Sequence, residues 1–432
     1  MPGHKNLDKI TTDLLRPIRL NTSFIIWMSF LIISLLVCLY AYSLQLTTGL
    51  GVTGLRDNAS WGMYISNFVF FVAASLIGML ISAVLGLVGI KWAAPIARIA
   101  EIIALAFASV AGLVIITDMG RPERLLNVFF YARIQSPITW DVTVVITYVV
   151  ISALLLYLPL IPDIKLCHEK LDKAPRFQRW LYKILSLRWN GSPEQIKLIT
   201  KLIRILMILI IPVAFGIHTV TSWLFASTVR PGWDSTIFGP YFVTGAFVSG
   251  CAAVIIAMYF FMKSYKLEEY INDDLFDKMG KLLVLVSLVY LYFNINEFLV
   301  PAYKMKKFEA IHLRELFVGA YAMMFWCVQI LGLVLPIILL LFKKARKPLP
   351  MLIIALFVII GAWFKRYLIV VPTQLHPYLP IQNVPEYFKF YTPTLTETAI
   401  TLASFIIVLM IITVLAKIFP IIPIKDPMHT AE

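Results

Sequence analysis

Ten long, nearly uncharged stretches dominate this chain, and each is close to the ~20 residues that cross a bilayer as a helix. Only 14% of the 432 residues are charged and the mean hydropathy is +0.84, whereas a soluble protein carries about 25% charged residues. A lipid interior leaves backbone polar groups no partner outside a helix. The sequence therefore predicts an all-α polytopic membrane protein with spans at about 24–46, 61–89, 96–117, 142–160, 199–224, 241–263, 280–303, 315–342, 350–371 and 397–419.

The net charge of +14 follows this topology and does not indicate a nucleic-acid partner. Roughly two thirds of the 38 Lys and Arg residues lie at the chain ends and in the connections on one side of the predicted spans. Basic residues accumulate in cytoplasmic loops of membrane proteins. We therefore expect a protein of the cytoplasmic membrane with both termini in the cytoplasm. The basic segment 161–198 predicts a helix on the membrane surface.

A weak internal repeat divides the spans into two sets. Gly62 and Tyr64 stand at the head of the second span, and Gly239 and Tyr241 stand at the head of the sixth. Polar residues follow at similar distances in both sets, which predicts two parallel-related four-helix bundles within a single membrane domain. The repeats cover about 61–224 and 241–371, with flanking spans at 24–46 and 397–419. The Pro-rich segment 372–396 predicts either an irregular cap or a docking segment.

Ionisable residues from many spans gather near the outer side. Such groups are costly in a membrane and usually serve a site or pair with one another. By contrast, the inner ends offer only Glu101 and Arg204 as comparable groups. The outer set consists of Asp118, Asp141, His218, Glu297, Lys365, Arg366 and Glu397.

The chemistry of this set favours a quinone over a metal. Among six histidines only His218 lies within a span, so two facing ligands for a transmembrane haem are missing. The four cysteines are scattered without C-x-x-C spacing, which predicts no iron–sulfur cluster and no metal site in this chain. A histidine beside carboxylates is able to take the two protons of a quinol. A purely structural hydrogen bond remains the alternative for His218.

Four segments carry a resemblance to the NrfD-like family of quinone-interacting membrane subunits. They are residues 61–68 (WGMYISNF), 118–124 (DMGRPER), 136–141 (SPITWD) and 218–242, and the last is the most specific. The likeness spans roughly residues 60–400. With Asn294 and Glu297 in the seventh of ten spans, the chain most resembles the DsrP or HmeB type, found in a sulfite-reduction-associated menaquinol oxidoreductase complex.

The resemblance implies a quinol-binding subunit of an anaerobic respiratory complex in sulfur metabolism. It implies menaquinone as the cofactor, no haem or iron–sulfur cluster in this chain, an extracytoplasmic iron–sulfur partner, and further cytochrome b or c or heterodisulfide-reductase-like subunits. Relatives in alternative complex III carry His where this chain has Asp118, which leaves the proton acceptor open between Asp118 and His218. The expected catalytic residues are Asp118, His218 and Asp141, and the expected quinone-binding residues are Tyr64, Asn67, Arg121, Trp140, Trp233, Glu297 and Arg366.

Three other functions stay open at this point. A secondary transporter would place its substrate near the bilayer midplane, often at broken helices. A proton-translocating subunit without a quinone site would use the same ionisable residues. A structural anchor would not require so many ionisable groups at one depth.

Overall fold

The computed structural model describes residues 14–18, 21–171, 175–376, 385, 388 and 390–424. None of these residues lies in a β-strand, and ten helices are long and apolar enough to cross a membrane, which confirms the all-α polytopic prediction. We number them α1 (Thr22–Thr48), α2 (Met63–Leu87), α3 (Lys91–Asp118), α4 (Pro137–Lys170), α5 (Pro193–Ala226), α6 (Phe238–Tyr265), α7 (Asp273–Lys304), α8 (Ala322–Leu340), α9 (Pro348–Gln374) and α10 (Leu395–Ile418).

Eight of these helices pack as two rings of four. In the first ring α2 contacts α3, α3 contacts α4, α4 contacts α5, and α5 returns to α2. The second ring joins α6, α7, α8 and α9 in the same way. The rings meet where α2 packs against α6 and α9, and α2 and α6 are the most buried helices. A repeat relationship between the two rings stays a prediction.

The remaining two helices lie together beside the first ring, where α10 contacts α1, α2 and α3. Successive helices alternate in direction, so the connections 49–62, 119–136, 227–237 and 305–321 lie on one end of the molecule, which we call the Asp118 face. The connections 88–90, 175–192, 266–272 and 341–347 lie on the opposite end, the Arg98 face. The orientation of these faces in the membrane stays a prediction.

Two predicted spans differ from the observed helices. The predicted fourth span began at 142, but α4 starts at Pro137, because Ser136-Pro137 begins the helix and Asp141 is accommodated inside it. The predicted eighth span began at 315, whereas Lys307–Phe317 forms a separate helix and α8 begins at Ala322. Parts of the predicted cap at 372–396, including Pro377 and Pro380, lie outside the described residues.

The basic segment after α4 contains a short amphipathic helix, Arg176–Leu185, on the Arg98 face. Helix α10 begins with a capping box in which Thr394 and Glu397 satisfy each other's backbone N–H groups. Glu397 also accepts from the Gly54 N–H at 2.8 Å, which ties the start of α10 to the connection that precedes α2.

Candidate functional site

Tyr64, at the start of α2, is fully buried and engaged in a hydrogen-bond chain. Its hydroxyl donates to Gln45 Oε1 at 2.6 Å, and Gln45 Nε2 donates to the Thr117 carbonyl at 2.6 Å. The chain links α1, α2 and α3 at the Asp118 face. Tyr64 is thus placed beside Asp118, the residue that follows Thr117, and within electrostatic range of it.

Asn67 is also fully buried, one helical turn further along α2. Its amide nitrogen donates to Thr401 Oγ1 at 2.7 Å, and its amide oxygen accepts from Trp363 Nε1 at 2.7 Å. Both ends of the amide therefore have partners from helices more than 290 residues away. In this conformation Asn67 joins α2, α9 and α10.

Asp118 ends α3, and its buried carboxylate oxygen Oδ1 has no hydrogen-bond partner among the residues that the structure describes. Glu397 lies within electrostatic range of Asp118. The Glu397 carboxylate already accepts hydrogen bonds from the Gly54 N–H and, at 2.6 Å, from the Tyr391 hydroxyl. A buried carboxylate oxygen without a donor is costly. Asp118 therefore holds an acceptor position that a ligand hydroxyl is able to fill.

Asp141 and His218 lie on the neighbouring helices α4 and α5. Asp141 is 5% exposed and accepts a 2.6 Å hydrogen bond from Thr221 Oγ1. His218 lies one turn before Thr221, so the two share a face of α5. His218 is 2% exposed, and its Nε2 has no hydrogen-bond partner within the described residues.

Arg366 of α9 lies within electrostatic range of His218 and is also 2% exposed. Within the described ranges its Nε and Nη1 atoms have no hydrogen-bond partner, while its guanidinium lies 5.2 Å from the centre of the Phe242 ring. From the helix rise, Asp141, His218 and Arg366 lie roughly 6 to 12 Å below the Asp118 face. The two helix rings therefore enclose a histidine and an arginine with unused polar atoms at one depth.

Glu297 belongs to a second polar group in the second ring. It is 8% exposed and lies close to Ser235, and its Oε2 atom has no hydrogen-bond partner in the part of the chain that the structure describes. Lys365 is an opposite charge within electrostatic range of it and lies 4.4 Å from the centre of the Phe298 ring. Lys365 was not among the expected site residues. A charged residue next to Arg366 in an apolar span is visible in the sequence, so it could have been included.

A cavity of about 20 Å³, room for one water molecule, lies between α6, α7, α8 and α9. Arg366 and Lys365 line it together with Tyr290, Asn294 and Gln329. Asn294 Nδ2 donates to Gln329 Oε1 at 2.7 Å, and the Tyr241 hydroxyl donates to Asn294 Oδ1 at 3.1 Å. Polar side chains of the second ring thus form a connected network around this cavity.

Trp233 is positioned by the turn before α6. Gly232 has a φ of +83°, in the left-handed region that favours glycine, and this turn directs Trp233 into the protein. The Trp233 indole donates to the Ile369 carbonyl at 2.7 Å and packs 5.6 Å from Trp61. Trp233 is 3% exposed and forms part of the aromatic contact between the two rings.

Trp140 and Arg121 lie nearer the surface. Trp140 packs edge-to-face on Trp223 at 6.3 Å, and its indole donates to the Ile134 carbonyl. Both tryptophans line an open groove of about 670 Å³ at the ends of α4, α5 and α6, together with Asp234 and Ser235. Arg121 is exposed in the connection after α3 and does not reach the buried group.

His312, on the helix Lys307–Phe317, was not among the expected site residues. It is 7% exposed, and its Nδ1 atom has no hydrogen-bond partner among the described residues. Burial, helped by the nearby His376 and Lys365, lowers the pKa of His312 to about 4, so it is neutral at physiological pH. Among the described residues, no three His, Cys, Asp or Glu side chains are grouped as metal ligands would be.

Fold and site together define a multi-pass integral membrane protein with buried, unpartnered titratable groups between its helices. The model of the family described as "Polysulphide reductase, NrfD" matches residues 51–377, and the chain belongs to this family.

Three relatives match over nearly their whole length. A selenate reductase subunit of Mesobacillus selenatarsenatis is 26% identical, covering 93% of this chain and 95% of the relative. The Hdr-like menaquinol oxidoreductase integral membrane subunit of Archaeoglobus fulgidus is 24% identical, covering 91% and 93%. The menaquinone reductase integral membrane subunit of Nitratidesulfovibrio vulgaris is 23% identical, covering 93% of each chain.

Proposed function

We propose that this chain binds menaquinol and is the quinol-reactive membrane subunit of a respiratory oxidoreductase complex. The observation that carries the proposal is a set of buried polar atoms near the Asp118 face that have no hydrogen-bond partner among the described residues: Asp118 Oδ1, His218 Nε2, and Arg366 Nε and Nη1. A structural anchor has no use for them, since each unsatisfied buried group costs about 1–3 kcal/mol.

The chemistry of these atoms suits the oxygens at the two ends of a quinone ring. The N–H groups of Arg366 are donors for a quinone carbonyl, whereas Asp118 Oδ1 and a neutral His218 are acceptors for a quinol hydroxyl. When bound, menaquinol supplies two electrons and two protons. Two relatives whose names contain menaquinol or menaquinone match the chain along its length.

Each residue then has a distinct role. His218 and Asp118 take the protons of the quinol. Comparing substitutions at the two residues identifies which of them accepts the first proton. The hydrogen bond between Thr221 and Asp141 joins α4 to α5 one turn from His218, and Asp141 is the next carboxylate to receive a proton. Arg366 orients the ligand oxygen, while Trp140 and Trp233 limit the space around it. In this proposal Tyr64, Asn67 and Glu297 support the walls of the quinone site. Arg121 stays at the surface, outside the buried group.

Electrons pass between the bound quinone or quinol and other subunits. Several relatives are named as subunits, and we propose an extracytoplasmic iron–sulfur subunit on the Asp118 face, with cytochrome b or c or heterodisulfide-reductase-like subunits beyond it. The Asp118 face then points out of the cytoplasm, with the chain in the cytoplasmic membrane and both termini inside. The basic Arg98 face agrees with that orientation.

Two substitutions test the site. His218→Gln and Asp118→Asn keep the side-chain size but remove the proton acceptor, so oxidation of a water-soluble menaquinol analogue by the purified complex should fall at least about 100-fold. Glu123→Gln is the matched control, because Glu123 is exposed in the connection that follows Asp118. Quinone binding is followed separately by quenching of tryptophan fluorescence.

The proposal fails if both variants turn over menaquinol at the rate of the unmodified complex. A secondary transporter is the second candidate, and it predicts solute flux in liposomes containing this chain alone. A proton-translocating subunit without a quinone site predicts unchanged fluorescence when a menaquinone analogue is added to the unmodified protein.

A further inference from the structure

The short helix Arg176–Leu185 on the Arg98 face is not used by the proposed quinol site. It lies between α4 and α5, outside both helix rings, and its ten residues present three chemically distinct sides. Residues three and four positions apart on a helix share a side. This spacing separates the side chains into a protein-facing set, an apolar exposed set and a basic set.

The protein-facing side anchors the helix firmly. The Tyr182 hydroxyl donates to the Ile418 carbonyl at 2.7 Å, and Gln178 Nε2 donates to the Tyr182 hydroxyl at 2.7 Å. At the end of the helix, the Leu185 carbonyl accepts from the Tyr157 hydroxyl at 2.8 Å. Because Tyr157 belongs to α4 and Ile418 ends α10, the helix cannot rotate about its axis without breaking these contacts.

The apolar side has no partner within the described residues. Phe177, Trp180 and Ile184 are 70%, 56% and 50% exposed, and the rings of Phe177 and Trp180 stack at 5.8 Å. Leu187, just beyond the helix, is 61% exposed. Aromatic residues are favoured where the acyl chains of a bilayer meet the headgroups.

The basic side adjoins the apolar side. Arg176, Arg179 and Lys183 follow one another at spacings of three and four and are all exposed. A helix with an apolar side and an adjacent basic side lies in the plane of the membrane boundary, with the apolar side toward the acyl chains. Basic residues there attract anionic headgroups, at about 1 kcal/mol for each Lys or Arg.

We propose that Arg176–Leu185 is an interfacial helix that binds anionic phospholipid headgroups through Arg176, Arg179 and Lys183, while Phe177, Trp180 and Ile184 enter the acyl region of the same leaflet. Charge complementarity selects this occupant, since an uncharged lipid or a neutral protein surface leaves three exposed cations unmatched. The contacts to Ile418 and Tyr157 hold both exposed sides in register with the membrane boundary.

Depth is tested on the full chain with its accompanying subunits, in nanodiscs of phosphatidylcholine. Lipids brominated near the top of the acyl chain should quench the fluorescence of Trp180. The loss of tryptophan emission on adding these lipids, which is the quenched emission, should therefore be smaller in Trp180→Phe. Trp326→Phe is the positive control, because Trp326 is an exposed tryptophan within the spanning helix α8 and its loss should also reduce the quenched emission. If Trp180→Phe leaves the quenched emission unchanged, Trp180 is not in the leaflet and the proposal is wrong.

Charge recognition is tested by adding phosphatidylglycerol with a spin label on its headgroup. The preference of the unmodified protein for this lipid over labelled phosphatidylcholine should fall about 25-fold in Arg179→Gln/Lys183→Gln, or about five-fold for each charge. Lys343→Gln/Lys344→Gln removes two exposed charges from the same face, away from the helix, and should leave the preference unchanged.

Equal effects of the two double variants would show a general surface field and overturn the specific site. A helix covered by another protein of the complex would protect Trp180 from both lipid probes, which also overturns the proposal. Neither readout involves quinol oxidation, so this inference stands or falls independently of the proposed function.

Discussion

A single glycine fixes the position of Trp233 at the junction of the two helix rings. Gly232 combines a positive φ with a tight contact, because a Cβ atom there would lie 2.7 Å from Nε2 of His312. The His312 ring is buried and has little room to move. The Pro-Gly-Trp-Asp stretch at 231–234, within the most specific motif of the sequence, therefore has a physical reason for its glycine.

Gly232→Ala should destabilise the protein by about 2–5 kcal/mol. A left-handed conformation costs an alanine about 1–2 kcal/mol, and overpacking against a buried ring typically adds about 1–3 kcal/mol. The measurement is the thermal unfolding midpoint of the detergent-solubilised protein. Gly49→Ala is the control, since Gly49 has a φ of +80° but nothing within 4 Å of its would-be Cβ. Equal midpoints for the two variants would contradict the role of His312.

Residue identity predicted the ionisable groups better than it predicted their contacts. Asp118, His218 and Arg366 stand out in the sequence because charge is rare in apolar spans, and each has unpartnered polar atoms in the structure. Tyr64 and Asn67 stood out equally, yet their polar atoms are bonded to other helices. Those partners come from sequence-distant helices, which a local pattern cannot identify.

At the scale of helices, composition predicted the number of spans and missed some of their ends. Apolar length alone identifies a span, but polar residues in a first turn are read as loop. Helix α4 thus begins five residues earlier than predicted, and Glu315 belongs to the separate helix Lys307–Phe317. The connection that bends between that helix and α8 depends on packing in three dimensions.

The contact between α8 and α9 depends on two facing glycines. A Cβ atom on Gly361 would lie 2.6 Å from the Cα of Gly332, and the reverse distance is 2.9 Å. Gly332 lies in a π-helical turn at Ile330–Val334, which brings its backbone toward α9. Small residues at such crossings let two membrane helices approach closely.

Gly361→Ala should therefore lower stability by about 1–3 kcal/mol, because the obstructing atom is backbone and cannot rotate away. Gly112→Ala in α3 is the matched control, since its would-be Cβ has nothing within 4 Å. That control should be neutral or stabilising by up to about 1 kcal/mol, as expected for Gly→Ala inside a helix. The unfolding midpoints of both variants are compared in one detergent, and a control as unstable as Gly361→Ala would refute the close contact.

At the scale of the whole molecule, a buried ion pair on the Arg98 face connects the first ring to the segment after α10. Arg98 Nη1 donates to Asp163 Oδ2 at 2.6 Å, and both side chains are at most 2% exposed. The same nitrogen lies 3.2 Å from the Pro420 carbonyl, and the Ile424 N–H donates to Asp163 Oδ2 at 3.3 Å. Arg98 and Asp163 therefore hold α3, α4 and residues 420–424 together, and the expectation that the inner ends offer only Glu101 and Arg204 was wrong.

Arg98→Met should cost about 3–5 kcal/mol, because it leaves the Asp163 carboxylate buried without its guanidinium. The double variant Arg98→Met/Asp163→Leu should lose less than the single variant, since no buried charge then remains. Lys278→Gln is the control for an exposed pair, with Asp274 at 2.6 Å, and should change stability by less than about 1 kcal/mol.

The double variant separates two explanations of the same loss. If the ion pair matters because it is charged and buried, removing both charges restores most of the unfolding midpoint. If the guanidinium matters mainly by holding the carbonyls of Pro159, Pro420 and Ile422, the double variant stays as unstable as Arg98→Met. In the second case residues 420–424 should also become more susceptible to protease than in the unmodified protein, because their backbone has lost its attachment to α3.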